Sequence, residues 1–361
     1  MKTTSEIGTE SVMSEPVRIN WYRTPVEKAV MSELMRRSDA RGFAQVVPQL
    51  LLFAATGATA YLAYLNIHRD NWLWTVPLLL AALFIHGTFS CFFGGIAGHE
   101  LCHKTPFKTQ FWNDFFLAIF GFIAWFDPVG YRLSHVRHHQ ATVYSDHDGE
   151  VVLPQGLDWY CLKFVLTNLT IDPMTPFRLI YAWGTVAFGD STHPTMFSPE
   201  WTKRILPKTK EDLRRDRRNW ARVVLLGHLF LAAIFIATGH WFLIVVFTFG
   251  CQYANWLVSL CWIPEHIGLS PNVPDFRLCC RTFTCGRLIS FIHWNMQYHV
   301  EHHMYPAVPF YNLPRLRKVI EHDLPAAHHG LWKTWMEILP IMHRQQTDPT
   351  YAFVPELPAA A

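Results

Sequence analysis

The sequence predicts an all-α integral membrane protein with four transmembrane helices in two hairpins and a helical cytosolic cap. Half of its 361 residues are hydrophobic, only 16% are charged, and the long apolar stretches come in closely spaced pairs. The chain also contains 27 Phe, 15 Trp and 12 Tyr, and its mean hydropathy is +0.10. This composition excludes a disordered or collagen-like chain and is unusual for a soluble domain.

The first predicted hairpin joins a span at residues 44–67 to a span at residues 72–97. Each span is long enough to cross about 30 Å of hydrocarbon at about 1.5 Å per helical residue. The connection at residues 68–71 is so short that the two spans must run antiparallel.

The second predicted hairpin joins residues 223–238 to residues 241–263 through Gly239 and His240. Residues 111–126 are apolar as well, but this segment is short and closely follows the second span. Its length favours an interfacial or re-entrant helix over a further crossing.

The positions of Lys and Arg predict the orientation. The two outer turns contain only Arg69, whereas the flanks and the central segment carry nearly all the other basic residues. The positive-inside rule therefore places both termini and the middle segment in the cytoplasm. We divide the chain into a cytosolic N-terminal segment (1–43), a membrane domain (44–320) and a cytosolic C-terminal tail (321–361).

Charge also limits the class of partner. The formal net charge is only +3, which is too small for nucleic-acid binding by phosphate neutralisation. The basic run at residues 208–222 favours a juxtamembrane helix held by anionic headgroups; a docking surface for a protein partner or an anionic substrate group is the alternative.

Nine of the 20 His lie at or just beyond the predicted inner ends of the spans. Offsets of three and four residues place the members of each cluster on one helical face. The clusters are His99 and His103; His135, His138 and His139; and His299, His302 and His303, with His266 just past the fourth span.

These offsets are typical of metal ligands, and the number of imidazoles indicates how many ions they hold. Eight or nine His are too many for one zinc ion and suit two metal ions. Imidazole binds iron, copper and zinc alike, so ligand type does not identify the metal. One alternative remains: His99-Glu100-x-x-His103 matches the H-E-x-x-H signature of zinc metalloproteases, here an intramembrane one, although the surplus His argue against it.

The order H-x-x-x-H, H-x-x-H-H, H-x-x-H-H, interleaved with two membrane hairpins, resembles the membrane fatty acid desaturase superfamily from about residue 86 to residue 317. The stretch NMQYHVEHHMYPAVPFYNLPRL at the third box is also similar to that family, whereas HELCHK in the first box is closer to the alkane hydroxylases. The resemblance implies a cytosolic centre of two non-haem irons. It makes the eight box His iron ligands and matches His266 to the family's further His after the last span.

The resemblance further implies an O2-dependent oxidase of a long alkyl or fatty acyl chain, with desaturation as the preferred reaction. Hydroxylation and oxidative decarboxylation to a terminal alkene remain open alternatives. No G-x-G-x-x-G motif follows a strand, so we expect electrons from a separate donor such as a ferredoxin or cytochrome system. We also expect an apolar tunnel for the substrate among the spans.

Residues near the boxes are candidates for orienting the ligands, because a metal-bound imidazole usually donates its other N–H to a carboxylate or carbonyl. Asp146, Asp148 and Glu150 follow the second box. Asn295 precedes His299 by four residues and shares its face if the helix extends that far back.

Overall fold

The computed structural model describes residues 18–151 and 174–359. Residues 1–17 of the predicted N-terminal segment and residues 360–361 of the predicted tail lie outside this part of the chain. Regular structure in the described residues is almost all helical, with one short parallel strand pair, β1 (Phe283–Thr284) and β2 (His328–His329). The α-helices are α1 (Lys28–Leu34), α2 (Asp39–Leu65), α3 (Trp72–Ser90), α4 (Gly98–Cys102), α5 (Gln110–Ala124), α6 (Pro128–Gln140), α7 (Thr175–Phe188), α8 (Pro199–Ile205), α9 (Glu211–Ala237), α10 (Trp256–Trp262), α11 (Phe276–Cys279), α12 (Arg287–Ile292), α13 (His299–Met304), α14 (Leu313–Ile320) and α15 (Leu331–Gln345).

Three helical stretches among the described residues are long and apolar enough to cross a membrane: Lys28–Leu65, Trp72–Cys102 and Glu211–Ala237. The pair formed by α5 and α6 bends by 109° and raises the number to four if it is a single broken span. The chain is therefore a mostly helical protein with three or four candidate membrane helices.

The first predicted hairpin corresponds to α2 and α3, which are joined by a short turn. A π-helical turn at Phe93–Ala97 leads from α3 into α4, so the helical stretch continues to Cys102. At 1.5 Å per residue its 31 residues extend over ~46 Å, well beyond the hydrocarbon thickness of a bilayer. The first histidine box lies at the C-terminal end of this stretch.

The prediction of a continuous helix at residues 241–263 is wrong. This segment contains a π-helical turn (Ile244–Thr248), a 3-10 turn (Gly250–Gln252) and α10. Side chains of neighbouring helices bind the carbonyl groups that helical amides would otherwise bind: His86 contacts Val246, and the Trp125 indole donates to Thr248. A broken helix is tolerated in a membrane where neighbours satisfy its backbone in this way.

Helix α9 begins at Glu211, 12 residues before the predicted third span, and includes most of the basic run. One of these arginines, Arg217, is only 2% exposed and donates to Asp127 at 2.5 Å. Asp127 in turn accepts the amide of Gly130 and caps the N-terminus of α6. Part of the basic run therefore stabilises the helix that carries the second histidine box.

Two of the longer helices lie outside the segments for which the sequence predicted a helix. Helix α7 packs against α9 through Trp183 and Val186, which meet Val224 and Leu225. Helix α15 forms within the predicted C-terminal tail and packs on the chain that follows α10. The tail is thus attached to the segment that carries His266.

Candidate metal centre

Three short helices and one loop carry the nine predicted histidines. His99 lies in α4 and His103 is its C-terminal cap, α6 carries the second box, and α13 begins at His299. His266 follows a 3-10 turn at Ile263–Glu265.

The structure brings all nine histidines together in two adjacent clusters. Within each cluster the candidate ligand atoms lie within 4.8 Å of one another. The ring centroids of His139 and His303, one from each cluster, are 4.4 Å apart. The first cluster is His99, His103, His135, His139 and His302; the second cluster is His138, His266, His299 and His303.

Helical geometry explains how each H-x-x-H-H box serves both clusters. Residues four apart lie above one another on a helix, whereas adjacent residues point in different directions. His135 and His139 accordingly share the first cluster, while His138 faces the second. In α13 the roles reverse: His299 and His303 join the second cluster and His302 joins the first.

The spacing of the Nε2 atoms fits metal binding. Two imidazole nitrogens that bind one ion at about 2.1 Å and at right angles are about 3.0 Å apart. In the first cluster, His135 Nε2 lies 2.9 Å from Nε2 of both His103 and His139. In the second, His299 Nε2 lies 2.9 Å from His266 Nε2 and 3.0 Å from His303 Nε2.

Hydrogen bonds at Nδ1 determine which nitrogen is free in the second cluster. His138 Nδ1 donates to Asp148 at 2.8 Å and His266 Nδ1 donates to the Cys279 carbonyl at 2.9 Å. His303 Nδ1 donates to Thr142 at 3.1 Å, because that hydroxyl already donates to a main-chain carbonyl. Neutral imidazoles with Nδ1 protonated present bare Nε2 lone pairs to one another, and a cation between them removes the repulsion.

Unpaired nitrogens in the first cluster agree with the same interpretation. His99 and His302 are 6% and 1% exposed, and the Nε2 atom of each is buried without a hydrogen-bond partner. Buried polar atoms are rarely left unpaired in proteins. The donor set of both clusters therefore fits metal ions.

Carboxylates surround the clusters on the Nδ1 side. Glu150 accepts from His135 Nδ1 at 2.7 Å and from the Ser134 hydroxyl. Glu100 lies 3.1 Å from His99 Nδ1 and 3.8 Å from His302 Nδ1 without a hydrogen bond from either, so it places a carboxylate beside two boxes. Burial raises the pKa of Glu150 to about 7, and a positive charge beside it favours its ionised form.

Of the other three predicted orienting residues, one contacts a cluster and two make other contacts. Asp148 contacts the second cluster as described above. Asp146 is exposed, and its main-chain carbonyl accepts from Arg204. Asn295 does not share a helical face with His299, because α13 starts only at His299 and Asn295 has φ +54°; its amide donates to the Phe310 carbonyl instead.

Sequence reasoning missed Glu265, which is 7% exposed and lies 3.5 Å from His299 Nδ1 and 3.2 Å from His293. Its position directly before His266 is a signal that could have identified it. No comparable signal marks His293, which belongs to none of the boxes.

The loop with His266 is held by Arg281. The Arg281 guanidinium donates to the carbonyls of Pro264 and Ile267, and its amide donates to the Glu265 carbonyl. Glu337 of α15 balances its charge at 3.1 Å. His266, the predicted ligand outside the three boxes, is therefore held in place through Arg281 and Glu337, which also lie outside the boxes.

The H-E-x-x-H interpretation has little support in this geometry. The general base of a zinc protease must reach the metal-bound water. Glu100 is instead 1% exposed and contacts the Nδ1 atoms of His99 and His302. It lies beside the imidazoles of His99 and His302.

Fold and site together define a helical membrane protein with two imidazole clusters able to hold metal ions. A sequence profile described as fatty acid desaturase matches residues 70–335, which is most of the chain. This protein therefore belongs to the fatty acid desaturase family, and the family indicates an oxidoreductase and an iron centre.

Several curated proteins are similar to this chain. A Delta(6)-fatty-acid desaturase, fat-3, of Caenorhabditis elegans is 25% identical over 87% of this chain and 72% of its own length. A Delta(5) fatty acid desaturase, fat-4, of the same organism is 24% identical over 64% of this chain and 55% of its own. A dihydrorhizobitoxine desaturase of Bradyrhizobium elkanii is 25% identical over 70% and 69%, respectively.

Proposed function

We propose that this protein is a membrane diiron oxidoreductase that uses O2 to desaturate a long fatty acyl or alkyl chain. The proposal depends on one observation above all: nine imidazoles from separate parts of the chain form two adjacent clusters. The family match and the names of the relatives support desaturation over other reactions.

In this proposal the first cluster holds one iron and the second cluster holds the other. Bound iron supplies the O2-dependent redox chemistry that an unactivated C–H bond requires. The residues of the chain hold the iron, orient its imidazole ligands and shield the site from water. Asp148, Thr142 and the Cys279 carbonyl fix imidazoles of the second cluster, and Glu150 and Glu100 act on those of the first.

Burial of the clusters limits contact with water. All four members of the second cluster are buried, and only His103 and His139 of the first are partly exposed. Excluding water strengthens the interactions within the site and prevents side reactions. The partly exposed pair marks the side of the centre nearest to solvent.

We further propose that the termini and the metal centre are cytoplasmic and that a separate ferredoxin or cytochrome system supplies electrons. The outer turns of the predicted hairpins contain Arg69 as their single Lys or Arg, which supports this orientation. The membrane domain in this proposal covers residues 44–320. Lipid, O2 and the donor are the expected partners.

Metal analysis combined with product analysis tests the proposal. We expect about two irons per chain in the purified protein, and a product that has lost two hydrogens when acyl chains of several lengths are supplied with O2 and a reductant. A His138→Ala variant should lose iron and activity, whereas His343→Ala, at an exposed position of α15, should retain both. A product with one added oxygen, or with CO2 lost, would reject desaturation, and one bound zinc would reject the diiron centre.

A further inference from the structure

The outer face of α15 combines apolar and basic side chains. Trp332, Met336 and Leu339 are 76%, 51% and 39% exposed, and their spacing of four and three residues makes them one stripe. Lys333 and Arg344 are exposed beside it. The single acid of the helix, Glu337, is turned toward Arg281 and His328.

The inner face of α15 fixes its position in the molecule. Ile338 and Met342 pack with Ile263 and Ile267 in one buried cluster. The Trp335 indole donates to the Leu260 carbonyl of α10 at 3.0 Å. These partners lie at and just beyond the end of the apolar segment 241–263, where the sequence predicts that the chain leaves the membrane.

We propose that α15 lies on the membrane surface, with its apolar stripe in the boundary between headgroups and acyl chains of an anionic bilayer. A helix with Trp and Leu on one face and Lys or Arg at its edges is typical of interfacial binding. Each basic residue near an anionic surface adds to the attraction. An acidic redox protein fits this face of α15 less well, because the centre of the face is a continuous apolar stripe.

This inference does not depend on the metals or on the reaction. Arg281, which binds the loop of His266, also contacts Glu337 of α15, and the opposite face of α15 is exposed. This contact therefore fixes the orientation in which the apolar stripe faces outward.

Spin labelling of the full chain in nanodiscs tests the proposal. A label on Met336→Cys should collide with O2 several-fold more often than with a water-soluble nickel chelate. A label on Asp212→Cys, at a side chain that is 85% exposed in the charged first turn of α9, should show the reverse. The parent protein, labelled in parallel, provides the background from native cysteines, and unchanged metal content shows that the variants are folded.

Lipid composition provides the second measurement. With phosphatidylglycerol in the nanodisc the preference for O2 at position 336 should exceed that in pure phosphatidylcholine, and Lys333→Glu should reduce the difference. Frequent collision of the 336 label with the nickel chelate would overturn the proposal. The proposal would also be overturned if both O2 and the nickel chelate were excluded from the 336 label in nanodiscs that hold two copies of the protein but not in nanodiscs that hold one. That result would indicate contact between copies of this chain.

Discussion

Neighbouring histidines of one box belong to different clusters, and this division predicts how iron is lost. We expect His138→Ala combined with His303→Ala to remove the second cluster's ion and leave about one iron per chain. His138→Ala combined with His139→Ala should affect both ions, because these residues face different clusters. Elemental analysis of purified variants measures the difference. Equal losses in the two double variants would contradict the division.

A single carboxylate orients His138. Replacing a residue that fixes a metal-bound imidazole typically lowers metal affinity by about 10–100-fold. We therefore expect Asp148→Asn, which removes the negative charge beside His138 Nδ1 and replaces one of two oxygens that both accept hydrogen bonds with an NH2 donor, to speed the loss of iron to a chelator by a factor in that range. Asp146→Asn is the matched control, since Asp146 is exposed. A similar rate in both variants would show that Asp148 does not act on the ligand.

Gly87 allows α3 to pack closely against the broken segment 241–263. A methyl group at this position would overlap the carbonyl oxygen of Tyr253 in the broken segment. Overpacking of this kind costs about 1–3 kcal/mol, so Gly87→Ala should lower the thermal unfolding temperature in detergent. Gly95→Ala in the same helical stretch has nothing within 4 Å of the added methyl and should leave it unchanged. Equal melting temperatures would show that α3 and this segment separate easily.

The loop that carries His266 depends on Arg281. Removing the guanidinium leaves two buried carbonyls without donors, at a cost of about 1–3 kcal/mol each. We expect Arg281→Gln to lower stability and to reduce iron in the second cluster more than in the first. Arg315→Gln provides the control, because its ion pair with Glu33 is 54% exposed on both sides and such pairs contribute little. Thermal unfolding and iron content measure both effects, and retention of both irons in Arg281→Gln would contradict a positioning role.

Elements whose pattern is local could be predicted from the sequence, whereas those set by tertiary contacts could not. The lengths of the apolar stretches predicted the first hairpin, and histidines three and four residues apart predicted the candidate ligands. The break in the segment 241–263 depends on His86 and Trp125, which bind its carbonyls from other helices. The division of the second and third boxes between two clusters likewise depends on how α4, α6 and α13 meet. Asn295 does not share a helical face with His299 because α13 begins only at His299, a boundary that the sequence does not mark.

At the scale of the whole molecule, the metal centre joins segments that are distant in sequence. The first cluster combines α4, α6 and α13, and the second adds the loop with His266, which α15 holds through Arg281. Ions bound at this junction therefore connect the first predicted hairpin to the C-terminal part of the chain. Their effect on stability should be global.

Removal of the metal tests this coupling. A ligand that binds only the folded state stabilises it by about 2.7 kcal/mol when its free concentration is a hundredfold above its dissociation constant. Chelation should therefore lower the unfolding temperature of the whole protein in one cooperative step, because the lone pairs of His266, His299 and His303 lose the cation between them. The His138→Ala/His139→Ala variant controls for effects of the chelator itself, since its clusters are already impaired, and its melting temperature should change less. An equal change in both proteins would show that the clusters do not hold the fold together.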